Sequence, residues 1–264
     1  MPNLCMIGNS HIAAMLYAWK EMFPLQQSVH ADFFAQHANT LVEAELSEGL
    51  SLLPGSKPFR YFSDDGDLER KSAIDLGSYD AFVIVGLAFG PISVLRTYRK
   101  YHFLGLKGFR GQIISRDMFK RAVWREVADG AALHVASLIR KSTDKPVLMV
   151  ATPLPSEKGY LDLEKPGMKL WRNAVDESDS GLLMQIYAEL CAEVQNMGIT
   201  LIGQPEDTLA TPVSTLQKFA DDAVRTASEE IRPENDYMHM NPAYGQAVWR
   251  DVLKALNHTP VQGQ

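Results

Sequence analysis

The chain has 264 residues, 46% of them hydrophobic and 22% charged. That composition excludes a disordered chain, and the length allows one large α/β domain or two small ones. Thirty-two acidic against 26 basic side chains give a formal charge of −6, which argues against a general nucleic-acid binder.

The first apolar run, Leu4-Cys5-Met6-Ile7, is strand-sized and starts almost at the first residue. No basic segment followed by an apolar one precedes it, and no run of about 18 apolar residues occurs anywhere. The expectation is a soluble, cytoplasmic protein with no membrane span. Cys5 and Cys191 are too few to staple the chain and read as reduced core residues.

Five short apolar runs read as strands covered on both faces: residues 3–8, 29–35, 81–86, 146–151 and 199–202. Helical periods lie between them. Ile12, Met15, Leu16, Trp19, Met22 and Phe23 form one apolar stripe after the first strand. Residues 117–140 read as one long helix, and 181–197 as another that ends near Gly198. Residues 242–256, opened by Pro242, close the chain.

Strands alternating with helices predict an α/β fold with a five-stranded parallel sheet in a single domain. Three insertions interrupt the alternation, at 48–78, 91–116 and 153–180. The first reads as a hairpin excursion around Phe59-Arg60-Tyr61-Phe62 and Asp64-Asp65-Gly66-Asp67; the third reads as a long loop. In such sheets, sites form at the carboxyl ends of the strands.

Gly8-Asn9-Ser10-His11 follows the first strand and precedes its helix. A strand-to-helix turn places Ser10 at the sheet edge, where free helix N–H groups can stabilise an oxyanion. Serine is equally a favoured N-cap, so the tetrapeptide alone leaves both roles open. Asp236-Tyr237-Met238-His239 stands just before the last helix. A carboxylate three residues before an imidazole can hold the ring in the tautomer that accepts a serine proton. A structural histidine at a helix start is the other reading.

Taken together, Gly8-Asn9-Ser10, Asp236-x-x-His239, the five strands and Val147-Leu148-Met149-Val150-Ala151-Thr152-Pro153 resemble the SGNH (GDSL-like) hydrolase family over nearly the whole chain. The resemblance implies a flavodoxin-like three-layer α/β/α sandwich with a shallow site. It also implies ester hydrolysis or acyl transfer, with Ser10 as nucleophile, His239 as general base and Asp236 as its orienter. The Ser10 N–H would form part of the oxyanion hole. Asn9 in place of aspartate, with His11 following Ser10, is similar to branches of the family that act on carbohydrate O-acyl groups.

The chain departs from the family pattern at two places. No glycine follows the second strand; Gln36, His37 and Asn39 stand in that region as substitute oxyanion donors. After the third strand, Gly86-Leu87-Ala88-Phe89 puts Ala88 where the family has a donating asparagine. Either another donor substitutes, or the site binds without turning over. Residues 96–125 hold nine basic side chains, with Asp117 the only acid. Arg96, Arg99 and Lys100 there could meet an anionic substrate or a nucleotide-like ligand, or simply form a solvated face. No phosphate loop, Cys-x-x-Cys or dinucleotide fingerprint is present, and no metal or cofactor is expected. A small-molecule or carbohydrate ester is the expected partner, and nucleic acid is not.

Overall fold

The computed structural model describes residues 1–22, 29–63, 68–108, 111–165, 168–226, 228 and 230–258. Five parallel strands form where the apolar runs predict them: β1 (Asn3–Gly8), β2 (His30–Ala35), then Ala81–Val85, Val147–Val150 and Thr200–Ile202. The sheet is larger than expected. Phe59–Phe62 (β3) adds antiparallel to β2, and Leu68–Lys71 (β4) adds antiparallel to β3. With Ala81–Val85 as β5, Val147–Val150 as β6 and Thr200–Ile202 as β7, the seven-stranded order is β7-β6-β5-β1-β2-β3-β4. The hairpin of the first insertion therefore extends the main sheet, while Ser51–Leu53 and Ile74–Asp75 on either side of it join Glu45–Leu46 in a separate small antiparallel sheet. Residues 64–67, at the centre of the expected turn, lie outside the described residues, as does Phe23 of the first helix stripe.

Strand periodicity splits the core in two. Cys5, Ile7, Phe34, Phe82, Ile84 and Met149 face one layer. Leu4, Met6, Phe33, Val83, Leu148 and Val150 face the other. The second layer is built by α1 (Ile12–Met22) and by the C-terminal helix Pro242–His258. These two helices approach so closely that a Cβ on Gly245 would stand 2.0 Å from the Ala14 carbonyl oxygen. Trp19 and Trp249 meet beside that crossing with ring centroids 4.7 Å apart and planes tilted by 34°, and Trp249 Nε1 donates to the Met15 carbonyl at 2.9 Å.

The opposite layer holds α2 (Pro91–Tyr98), α3 (Arg116–Ala128), α4 (Ala131–Ser142), α5 (Lys169–Asp176) and α6 (Ser180–Gln195). The C-terminal helix is α7. The predicted single helix over 117–140 is two helices. Asp129 ends the first, and Gly130 turns into an extended conformation that opens the second. Glycine costs about 1 kcal/mol inside a helix, so the chain breaks there. The insertions at 91–116 and 153–180 are also more ordered than loops. They contain α2, the short helix Glu157–Leu161 and α5. Asp179, almost fully buried, accepts from the Tyr98 hydroxyl and from the N–H groups of Lys107 and Gly108, and so ties these insertions together. Cys5 is buried and Cys191 half-buried, both as free thiols.

Candidate active site

The site forms where β1 ends. Gly8 permits this, because a Cβ there would stand 2.8 Å from the Val85 carbonyl oxygen on the neighbouring strand. Asn9 Oδ1 accepts from the His11 N–H at 3.2 Å, a local turn that lifts Ser10 onto the sheet edge. The Ser10 hydroxyl does not cap α1; it stands 2.8 Å from His239 Nε2.

The imidazole is held from its other side. His239 Nδ1 lies 2.9 Å from both Asp236 oxygens. Asp236 Oδ1 also receives the N–H groups of Met238 and His239, each at 3.3 Å, so the Asp-x-x-His turn is closed by its own carboxylate. With its proton on Nδ1, the ring donates to Asp236 and offers Nε2 as acceptor to Ser10. Burial acts to raise the Asp236 pKa. The His239 bond and the charges of His239 and Arg232 outweigh it and hold the carboxyl well below the usual carboxylate range. Arg232, which the sequence reading passed over, donates through Nη1 to Asp236 Oδ2 at 3.0 Å.

His11 stacks on the face of the His239 ring, with ring centroids 4.6 Å apart and planes 16° from parallel. Burial first, then the charges of His239 and Arg232, push its pKa down to about 3, so it is neutral at ordinary pH.

A groove of about 780 Å³ lies beside these residues; Asn9, His11, Ala88, Thr152 and Met238 line it, as do Arg96, Lys100, Tyr101 and Arg125. Gly86, Leu87 and Ala88 all have positive φ, at 72°, 52° and 63°. Any side chain at 86 would strike Asn9 Oδ1 and His11, which explains the glycine. Ala88 lies on the groove wall and brings no side-chain donor.

The other expected donors are dispersed. Gln36 is buried and its amide donates to the Lys57 and Pro58 carbonyls, both at 2.9 Å, while its Oε1 accepts from the His37 N–H at 2.8 Å. That amide is committed to holding a loop and is not turned to the groove. His37 is exposed and starts a one-turn helix; neither it nor Gln36 lines the groove. The side chain of Asn39 lies outside the described residues.

The basic cluster also divides. Arg96 and Lys100 line the groove, whereas Arg99 is exposed and does not. Glu126, one residue beyond the basic stretch, lies 3.5 Å from Arg96 and 3.8 Å from Lys100. The groove wall is thus of mixed charge, not the purely cationic surface that 96–125 alone implies. Among the described residues, no group of His, Cys, Asp and Glu side chains is placed to hold a metal ion, and no helix is long and apolar enough to cross a membrane.

No protein-family model matches the chain, and no curated protein matches its sequence. Solved structures do show likenesses. One is a DUF4886 family protein from Bacteroides uniformis, 11% identical, covering 97% of this chain and 95% of that one at a TM-score of 0.42. A second is a carbohydrate acetylesterase family member from Sinorhizobium meliloti, 10% identical over 97% and 98% of the two chains at 0.38. A third is the periplasmic domain of a Salmonella ser. Paratyphi A lipopolysaccharide acetyltransferase, 12% identical over 97% and 83% at 0.41. At TM-scores this low, none of the three carries an argument about this chain's chemistry.

Proposed function

We propose that this chain is a serine-dependent ester hydrolase or acyltransferase of SGNH type, acting on an O-acylated carbohydrate or another small polar ester. One observation carries the reading: a continuous Ser10–His239–Asp236 chain of contacts at 2.8 and 2.9 Å, at the carboxyl end of the central strand. Ser10 Oγ attacks the ester carbonyl as His239 Nε2 takes its proton. The tetrahedral oxyanion is met by the Ser10 N–H. His239 returns the proton to the leaving alcohol, and an acyl-Ser10 remains. Water or a second alcohol, deprotonated by the same imidazole, then releases the acyl group.

The test is Ser10→Ala against p-nitrophenyl acetate. Loss of turnover with an unchanged circular-dichroism spectrum is expected, and equal rates in variant and wild type would refute the proposal.

Ala88 favours a second reading, a binding module that keeps the fold but lacks a full oxyanion hole and recognises an anionic glycan or nucleotide-like ligand. Losing one such donor costs about 10²–10³ in rate. Saturable ligand binding in the groove together with absent Ser10-dependent turnover would favour it.

A further inference from the structure

The Arg232 guanidinium belongs to the Asp236–His239 pair rather than to the surface. Its Nη1 donates to Asp236 Oδ2 at 3.0 Å, the same oxygen that stands 2.9 Å from His239 Nδ1. The two side chains are only 13% and 18% exposed. The arginine is also held from behind. Its Nε donates to the Val224 carbonyl at 3.3 Å, and its backbone N–H donates to the Ala223 carbonyl at 2.7 Å. The same segment is anchored to α1, because the Tyr17 hydroxyl donates to the carbonyls of Arg225 and Thr226. The helix that follows the nucleophile and the cation that braces the acid are therefore parts of one frame.

We infer that Arg232 is a positioning residue for this pair: it fixes the Asp236 carboxylate and offsets part of its charge, and so holds the imidazole with Nε2 turned to Ser10. The inference rests on the esterase reading above. A lone carboxylate beside an imidazole favours the protonated ring. A guanidinium on the same carboxylate opposes that and repels the imidazolium directly. Among the described residues, Ser10 and the neutral His11 ring are the other groups in contact with the pair. Tyr237, within the Asp-x-x-His turn, donates its hydroxyl to Asp162 Oδ2 at 2.8 Å, and its ring lies 6.0 Å from Lys165 Nζ.

The test uses the full chain with R232Q, R232K and S10A. One readout is kcat and KM for p-nitrophenyl acetate from about pH 5 to about pH 9. The other, taken without substrate, is the low-field proton NMR signal of the bond between His239 Nδ1 and Asp236. R232Q should move the acid limb of kcat/KM up by about one pH unit. It should also lower kcat about tenfold with little change in KM. R232K should return the limb to its place and recover most of the rate. The low-field signal should shift in R232Q and return in R232K.

A limb and signal that stay in place in folded R232Q, or that move as far in R232K, would overturn the inference. If R232Q is unfolded, R232M is read in the same way; folding of R232K with both neutral variants unfolded would make Arg232 structural and overturn it too. If S10A matches the wild type, the esterase reading fails and the substrate-free signal still decides on Arg232. If S10A is inactive while the R232Q readouts stay put, the esterase reading stands and the inference on Arg232 fails.

Discussion

His11 and His239 stack face to face, yet only His239 meets the Ser10 hydroxyl. His11 Nδ1 is buried with no hydrogen-bond partner among the described residues, and the ring is held neutral with a pKa of about 3. In the unfolded chain the same group titrates near 6.5. Between those values the unfolded state holds one more proton, so stability is complete above pH 6.5 and is lost as pH falls toward 3. The slope for one proton is about 1.4 kcal/mol per pH unit. His11→Phe keeps a stacked ring and removes that proton. Urea unfolding at about pH 7 and about pH 5 should show a flatter pH dependence in the variant, and an equal slope would contradict this account.

Asp236 accepts from its own turn, from His239 and from Arg232 at once. Asp236→Asn should leave the turn formed but favour the wrong imidazole tautomer. By analogy with serine proteases the expected loss in kcat is about 10³–10⁴. Steady-state kinetics on a p-nitrophenyl ester decide it, and a loss below about tenfold would remove Asp236 from the orienting role.

Ala88 sits at φ 63° on the groove wall. Asparagine tolerates that left-handed conformation better than most residues. Ala88→Asn should therefore fold and add a donor near the ester carbonyl, raising kcat by about tenfold. An unchanged or lower kcat would mean that the oxyanion lies elsewhere.

Glu126 faces Arg96 and Lys100 along the groove. All three are partly exposed, so each pair is worth little in stability. Glu126→Gln should leave the melting temperature nearly unchanged while making the groove more cationic. KM for an anionic ester should fall by about two- to fivefold relative to a neutral one. Equal effects on both substrates would place ester binding away from these side chains.

Gly245 leaves α7 no room for a Cβ against Ala14, with 2.0 Å to its carbonyl oxygen. That atom is backbone and cannot rotate aside. Gly245→Ala gains helix propensity but forces the two helices apart, and a net destabilisation of about 1–3 kcal/mol is expected. Chemical denaturation measures it, and a stabilised variant would rule out the close crossing.

Local patterns were legible in the sequence for local physical reasons. Strands covered on both faces must be almost continuously apolar, so five of the seven announce themselves, with ends within about a residue or two of their observed positions. Ser10 and the Asp236–His239 turn are short-range arrangements at the ends of such elements, and the sequence marks both. The outer strands β3 and β4 were harder to place. Their pattern suggests a hairpin, but only pairing with the free edge of β2 assigns them to the main sheet. The break at Gly130 was missed because α3 and α4 bury successive apolar stripes that mimic one period.

The sequence by itself determined an α/β chain with a serine and an Asp-x-x-His at opposite ends of its length. Tertiary structure alone decided that these ends meet, because the parallel sheet order brings together groups 229 positions apart. It also decided which polar groups remain free. Gln36 is committed to two loop carbonyls, Glu126 offsets two cations, and Arg232 reaches into the Asp236–His239 pair. A side chain's partner depends on what packing brings within about 3 Å of it, and that distance is not written in sequence spacing.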